Sequence, residues 1–344
     1  MSGLEAFLDD TPGETRGILA RDGRFERLLI QRDDDPPQTR LGARSVGRVV
    51  DVEAGFNAAF VDLGAPGPAA FLPLGQGPRL REGEAVEVQT TAEPRERKGP
   101  TVRLLGPTEG PPRLIASGPD VAAELARLAP GVPIQTGPAA IQAAWDAEGE
   151  ALSDGAVFAD LAFDLAVQRT RALIAVDIDY AHLPGRDPRK GRHRANQEGL
   201  RHAARLIRLK SWGGLVAIDL VGTRLDAESL GRAARSAFAD EPEAVLGPLN
   251  RFGVLQLSLP WRRTPIEDRL RGWDGAQAPM TRAIALARRL RMRMLQDTAT
   301  PRFTARCAPA EATLAAPLIA RLGPRAAILA DSAVRPGHAD IEEG

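Results

Sequence analysis

Between residues 43 and 106, five short segments alternate apolar and polar residues, with glycine, proline or polar turns between them. They are Arg44–Val52, Ala58–Leu63, Ala69–Pro73, Ala85–Thr91 and Thr101–Leu105. A chain that turns this often within about sixty residues has no room for long helices, and the spacing predicts a five-stranded barrel of the OB type. Such barrels commonly bind single-stranded nucleic acid, with aromatic side chains as stacking platforms. Phe60 and Phe71 are candidates, although periodicity favours a core position for at least one of them. Lys98, in the basic turn Arg95-Glu96-Arg97-Lys98-Gly99, is placed to meet phosphate.

Charge narrows the partners. The 344 residues carry 45 basic and 45 acidic side chains, so the net charge is zero. Lysine occurs only at Lys98, Lys190 and Lys210, and arginine supplies the rest of the positive charge. From Arg186 to Lys210 nine basic residues face only Asp187 and Glu198. A locally basic stretch in a neutral chain suits a polyanion better than the overall charge suggests. One cysteine, Cys307, excludes a disulfide framework and any multi-cysteine metal site within one chain. No apolar run is long enough to span a membrane. Met1 to Asp10 lacks the features of a secretory signal, and the expected compartment is the cytoplasm.

The second half alternates strand and helix patterns. A strand at 172–179 leads into a basic loop at 181–194 and a helix at about 195–210. Gly213-Gly214 opens a strand at 215–221, then come a helix at 226–239, a strand at 253–259 and a basic helix at 278–296. This order predicts an α/β unit with a largely parallel sheet. Asp177 and Asp179 share one face of the first strand, opposite Ile174, Val176 and Ile178, and Asp219 ends the second apolar run. On parallel strands the three carboxylates would meet at one rim, where a divalent cation would relieve their repulsion. Aspartate at a strand end also caps turns, and that alternative stands beside the first. On the intervening helix Arg201, Arg205 and Arg208 fall on one face, an arginine stripe directed outward. The histidines show no metal-ligand spacing.

These blocks resemble the bacterial ribonuclease E/G family. Val46-Gly47-Arg48-Val49-Val50, Asn57 to Gly64 and Ala70 to Pro73 resemble its S1 RNA-binding domain. Arg171 to Asp179 resembles its strand ending in Asp-x-Asn. The most specific blocks are Ala195-Asn196-Gln197-Glu198 and the run Arg205 to Asp219, followed by Asn250 to Ser258. The resemblance implies a mixed α+β chain, an S1-type OB barrel joined to an α/β DNase I-like catalytic subdomain. The expected segments are an N-terminal tail and hairpin at 1–36, the barrel at 37–107 and a reduced connecting region at 108–170. The catalytic subdomain at 171–300 and a C-terminal tail at 301–344 complete the expectation.

The function implied is a Mg²⁺-dependent endoribonuclease that cuts single-stranded regions of ribosomal or transfer RNA precursors, or of mRNA, with metal-activated water. It would leave a 5′-phosphate and a 3′-hydroxyl. By motif, Asp177 and Asp219 are the metal ligands, and Asp179 stands where the family carries the asparagine that orients the first ligand. Phe60, Phe71 and Lys98 would contact RNA, and the stripe Arg201, Arg205 and Arg208 would add phosphate contacts. The sequence also departs from the family. Gly222 replaces a second acid beyond Asp219, Arg171 replaces a glutamate, and Gln135-Thr136 replaces the Arg-Thr pair of the 5′-phosphate sensor. The Cys-Pro-x-Cys zinc link is missing, so no zinc-mediated pairing is expected, and a homodimer would need other contacts. The competing expectations are an RNA-binding protein of the same family with impaired catalysis and a ribosome- or rRNA-associated factor.

Overall fold

The structure, a computed structural model, describes residues 3–75, 79–181, 187–223, 225–272 and 274–344. They fall into two units: one of 1–24, 28–148 and 264–344, the other of 25–27 and 149–263. Seven α-helices and four sheets occur among the described residues, an α+β chain.

In the first unit, strands Arg44–Glu53, Ala58–Asp62, Ala70–Pro73, Ala85–Ala92 and Thr101–Pro107 close into a barrel. Pairing of the first two strands completes the ring, which is compatible with an OB-type fold. Alternation fills it: Val49, Ala59, Val61, Leu72, Val86, Val88 and Val102 point inward and are buried. All five expected strands are present, with ends shifted by two residues or fewer.

From Gly3 on, the N-terminal segment is part of the fold and not a frayed tail. Leu4–Asp9 is a strand paired antiparallel to Glu14–Arg21. That strand turns at Asp22-Gly23 into Arg24–Arg32. Both turn residues have positive φ (51° and 73°), the conformation a tight hairpin requires and the reason for Asp-Gly there. The expected tail at 301–344 is also folded. Strand Phe303–Cys307 lies between Ala326–Ala330 and Ala339–Glu343. Their core packs on helices Pro279–Gln296 and Pro309–Ala320 through Ile284, Leu290, Phe303 and Ile319.

A buried ionic cluster explains why the N-terminus is held. Glu14 is fully enclosed and accepts from Arg16 (2.6 Å), Arg288 (3.0 Å) and Arg32 (3.1 Å). Asp9, also buried, pairs with Arg288 (2.5 Å) and Arg291 (3.1 Å). Burial alone would raise the Glu14 carboxyl, but the positive charges of Arg16, Arg288 and Arg32 outweigh it and bring it down to about 2.

The second unit is built on a six-stranded sheet. Its order is Gly155–Phe158, Phe163–Arg169, Ile174–Tyr180, Gly214–Asp219, Val254–Leu259, Val245–Leu246. Only Ile174–Tyr180 and Gly214–Asp219 run parallel; every other neighbouring pair is antiparallel. The largely parallel sheet expected from the strand–helix order is corrected accordingly. Two strands assigned to the connecting region, at 155–158 and 163–169, are the antiparallel half of the sheet.

Helices Pro188–Leu209 and Ala227–Ala237 pack together, and the first covers one face of the sheet. Gly199 makes the close approach: a Cβ there would lie 2.6 Å from the Ile178 side chain. The helix begins at Pro188, within the expected basic loop. His182 and Arg186 of that loop lie outside the described residues.

Candidate active site

The face of the sheet opposite the helices is open. Along Ile174–Tyr180 the residues Ile174, Val176 and Ile178 are buried, whereas Asp177 and Asp179 are exposed. Asp219 is exposed at the end of Gly214–Asp219, beyond buried Val216 and Ile218. In the parallel pairing Asp177 and Asp219 are direct register partners. Their strands are about 4.8 Å apart, so the two carboxylates leave the same face side by side.

The neighbouring strand adds a residue that sequence reasoning missed. Asp164 is the antiparallel partner of Asp179 and is exposed on the same face. The signal was available in Phe163-Asp164-Leu165-Ala166-Val167-Gln168, which alternates as a half-buried strand should. Four carboxylates thus line one patch. The Asp177 carboxyl is raised above its usual range, first by partial burial and then by the negative charges of Asp219, Asp179 and Asp164.

The turn-capping alternative separates these aspartates. Asp179 Oδ1 accepts from the Tyr180 N–H (2.8 Å), a local backbone contact. Among the described residues no donor reaches the carboxylate of Asp177 or Asp219, and neither caps a turn. Nor is there a preformed cage of three or more histidine, cysteine, aspartate or glutamate ligands among the described residues. Mg²⁺ asks for less: one or two carboxylates, with water and substrate phosphate completing the shell.

The arginine stripe is not formed. Arg205 is 3% exposed; it donates to Glu150 (2.6 Å) and to the Phe25 carbonyl (2.7 Å). Arg208 is bound by Glu26 (2.7 Å) and the Ala237 carbonyl (3.3 Å). Arg201 alone is exposed, and it pairs with Glu198 one turn away (2.7 Å). The helix lies behind the sheet, so these side chains reach structural partners on that side and not the carboxylate face.

In the barrel, Phe60 and Phe71 are register partners with rings edge to face at 5.9 Å. Each alternates with fully buried neighbours, Ala59 and Val61 for one and Ala70 and Leu72 for the other. Both rings therefore lie on the outer wall, partly exposed, and neither occupies the core position that periodicity suggested. Lys98 is exposed in the adjoining turn, and two residues on, the Pro100 carbonyl accepts from the Phe71 N–H (2.8 Å). The structure brings all three to one part of the barrel surface.

Among the described residues no helix is long and apolar enough to cross a membrane. Compared with known proteins, the chain matches no family model, and no curated protein matches it.

Proposed function

We propose that this chain is a Mg²⁺-dependent endoribonuclease of the ribonuclease E/G type, acting in the cytoplasm on single-stranded regions of RNA. One observation carries the reading: Asp177 and Asp219 sit at paired register positions on adjacent parallel strands, and among the described residues no donor satisfies either. The crowding of negative charge around Asp177 is what a bound divalent cation would relieve. The donor set fits Mg²⁺, a hard cation that prefers oxygen ligands.

Bound Mg²⁺ would supply Lewis acidity at the phosphodiester and a means of activating water. The protein's part is positional. Asp177 and Asp219 are the residues that would hold the cation. Asp179, anchored to the Tyr180 N–H, and Asp164 opposite it keep the patch negative and fix the approach to Asp177. Phe60 and Phe71 offer ring faces on which unpaired bases stack, which favours single strands over duplex, and Lys98 meets the backbone. In this reading the sheet subunit is the DNase I-like catalytic part and the barrel is the S1 domain. The expected products carry a 5′-phosphate and a 3′-hydroxyl.

A second reading is a catalytically impaired RNA-binding member of the same family. Asp179 favours it, because a charged carboxylate there adds to the repulsion at Asp177 that an asparagine would not. Incubation of a 5′-labelled single-stranded RNA with Mg²⁺ or with EDTA separates the two. Discrete products that appear only with Mg²⁺ support the nuclease; binding without products supports the second reading.

A further inference from the structure

Beyond the end of strand Gly214–Asp219, the sheet opens into a cleft of about 680 Å³. Arg189, Lys190, Arg192 and His193 line one wall, and Val221, Gly222, Thr223 and Leu225 are part of the other. Among the described residues, the side chains of Arg189, Lys190 and Arg192 have no hydrogen-bond or ion-pair partner. The two acids in the cleft are already engaged. Asp187 accepts from the Arg189 N–H (2.9 Å), and Asp226 accepts from the Ser229 N–H (3.0 Å). His193 is held beside Ser229 (3.4 Å), and buried Asn196 clamps Val221 through both its carbonyl (3.0 Å) and its N–H (2.9 Å). The cleft is thus framed, and among the described residues these three cations have no partner.

A separate feature adjoins it. Phe252 is 72% exposed in the turn between Asn250 and Val254, the residue paired with Asp219. Asn250 Oδ1 accepts from the Phe252 and Val254 N–H groups (2.9 and 3.0 Å) and so fixes the turn. The Arg251 guanidinium lies over the ring, 4.8 Å from its centroid, and the side chain is otherwise largely open to solvent. This turn packs against the cleft wall, since a Cβ on Gly253 would lie 3.5 Å from Leu225.

We propose that the cleft and the Phe252 ring together bind a nucleotide segment of single-stranded RNA next to the cleaved bond. The cations take backbone phosphates and the ring stacks a base. Gly222 follows Asp219 by three residues, at most about 10 Å of extended chain, so one strand can reach both places. This subsite rests on the nuclease reading for its substrate, but its evidence is independent of the carboxylates.

The test is fluorescence anisotropy of a short 5′-labelled single-stranded RNA with the full chain in EDTA, where nothing is cut. The triple variant R189A/K190A/R192A should weaken binding at least tenfold and reduce the salt slope by about 2, near 0.7 for each lost phosphate contact. F252A should lose about 5- to 150-fold, the range of one stacked base. F252W should restore it and F252L should not, and neither change touches the core. Inorganic polyphosphate should compete poorly with RNA. Unchanged affinity and salt slope in the triple variant, or no loss in F252A, overturns the subsite even if the wild type cuts RNA. Polyphosphate that binds as tightly as RNA overturns the base-stacking half. Weakened binding in both variants of a chain that never cuts RNA supports the subsite and removes the nuclease reading instead.

Discussion

Asp177 and Asp219 are register partners on adjacent parallel strands, and their side chains leave the same open face of the sheet. Partial burial, and then the negative charges of Asp219, Asp179 and Asp164, raise the Asp177 carboxyl, so holding it ionised costs the fold energy. The folded chain keeps a proton on Asp177 over a pH range in which the unfolded chain, with an ordinary value near 3.8, has released it. At this position, stability is greatest below 3.8 and falls as pH rises through the elevated folded value.

Asp177→Asn removes the cost of a partly buried charge and its repulsion by neighbouring carboxylates. It should raise Tm at neutral pH, by a few degrees at most, while abolishing cleavage. The gain should shrink away as pH falls well below the ordinary 3.8, where the aspartate is neutral in both states. Thermal denaturation of both proteins across pH 3 to 8 checks this; a lower Tm for the asparagine variant at pH 7 contradicts it.

The Glu14 cluster behaves in the opposite sense. Its carboxyl falls to about 2 in the folded chain, so its contribution is complete above the ordinary 4.5 and is lost as pH drops toward 2. Glu14→Gln leaves Arg16 and Arg288 buried with weakened partners. The expected loss is about 3–5 kcal/mol in urea denaturation at pH 7. A loss near zero would mean that the arginines find other acceptors.

Arg205 and Arg201 should part company. Arg205→Ala strands the half-buried Glu150 and opens a gap against Phe25, and the fold should weaken by about 2–4 kcal/mol. Arg201→Ala removes an exposed helix pair and should change stability by less than about 0.5 kcal/mol. Equal losses in RNA affinity at both sites, with equal stability, would restore the outward stripe.

The difference between those arginines shows where sequence reading stops. Period-two alternation placed Asp177 and Asp179 on one face because a strand has only two faces and Ile174, Val176 and Ile178 claim the buried one. The barrel strands were legible for the same reason. A helix offers more directions, and spacing alone could not say that Glu150 and Glu26, distant in sequence, would reach Arg205 and Arg208. Asp164 was hidden by a different cause: its strand pairs antiparallel, whereas the strand–helix order suggested parallel neighbours. Phe252 looked like any turn residue until its exposure and the arginine over its ring were visible. The short strands at 303–307, 326–330 and 339–343 were illegible because their partners come from separate stretches of chain.

The most direct measurement is cleavage of a 5′-labelled single-stranded RNA by wild type and Asp219→Asn, each with Mg²⁺ and with EDTA, alongside RNA affinity in EDTA. The account predicts Mg²⁺-dependent products from the wild type. It predicts a loss of at least 100-fold in rate for Asp219→Asn, about 2.7 kcal/mol of activation barrier, with RNA affinity unchanged. Cleavage by Asp219→Asn at the wild-type rate would contradict it, because the paired carboxylates would then have no part in the chemistry.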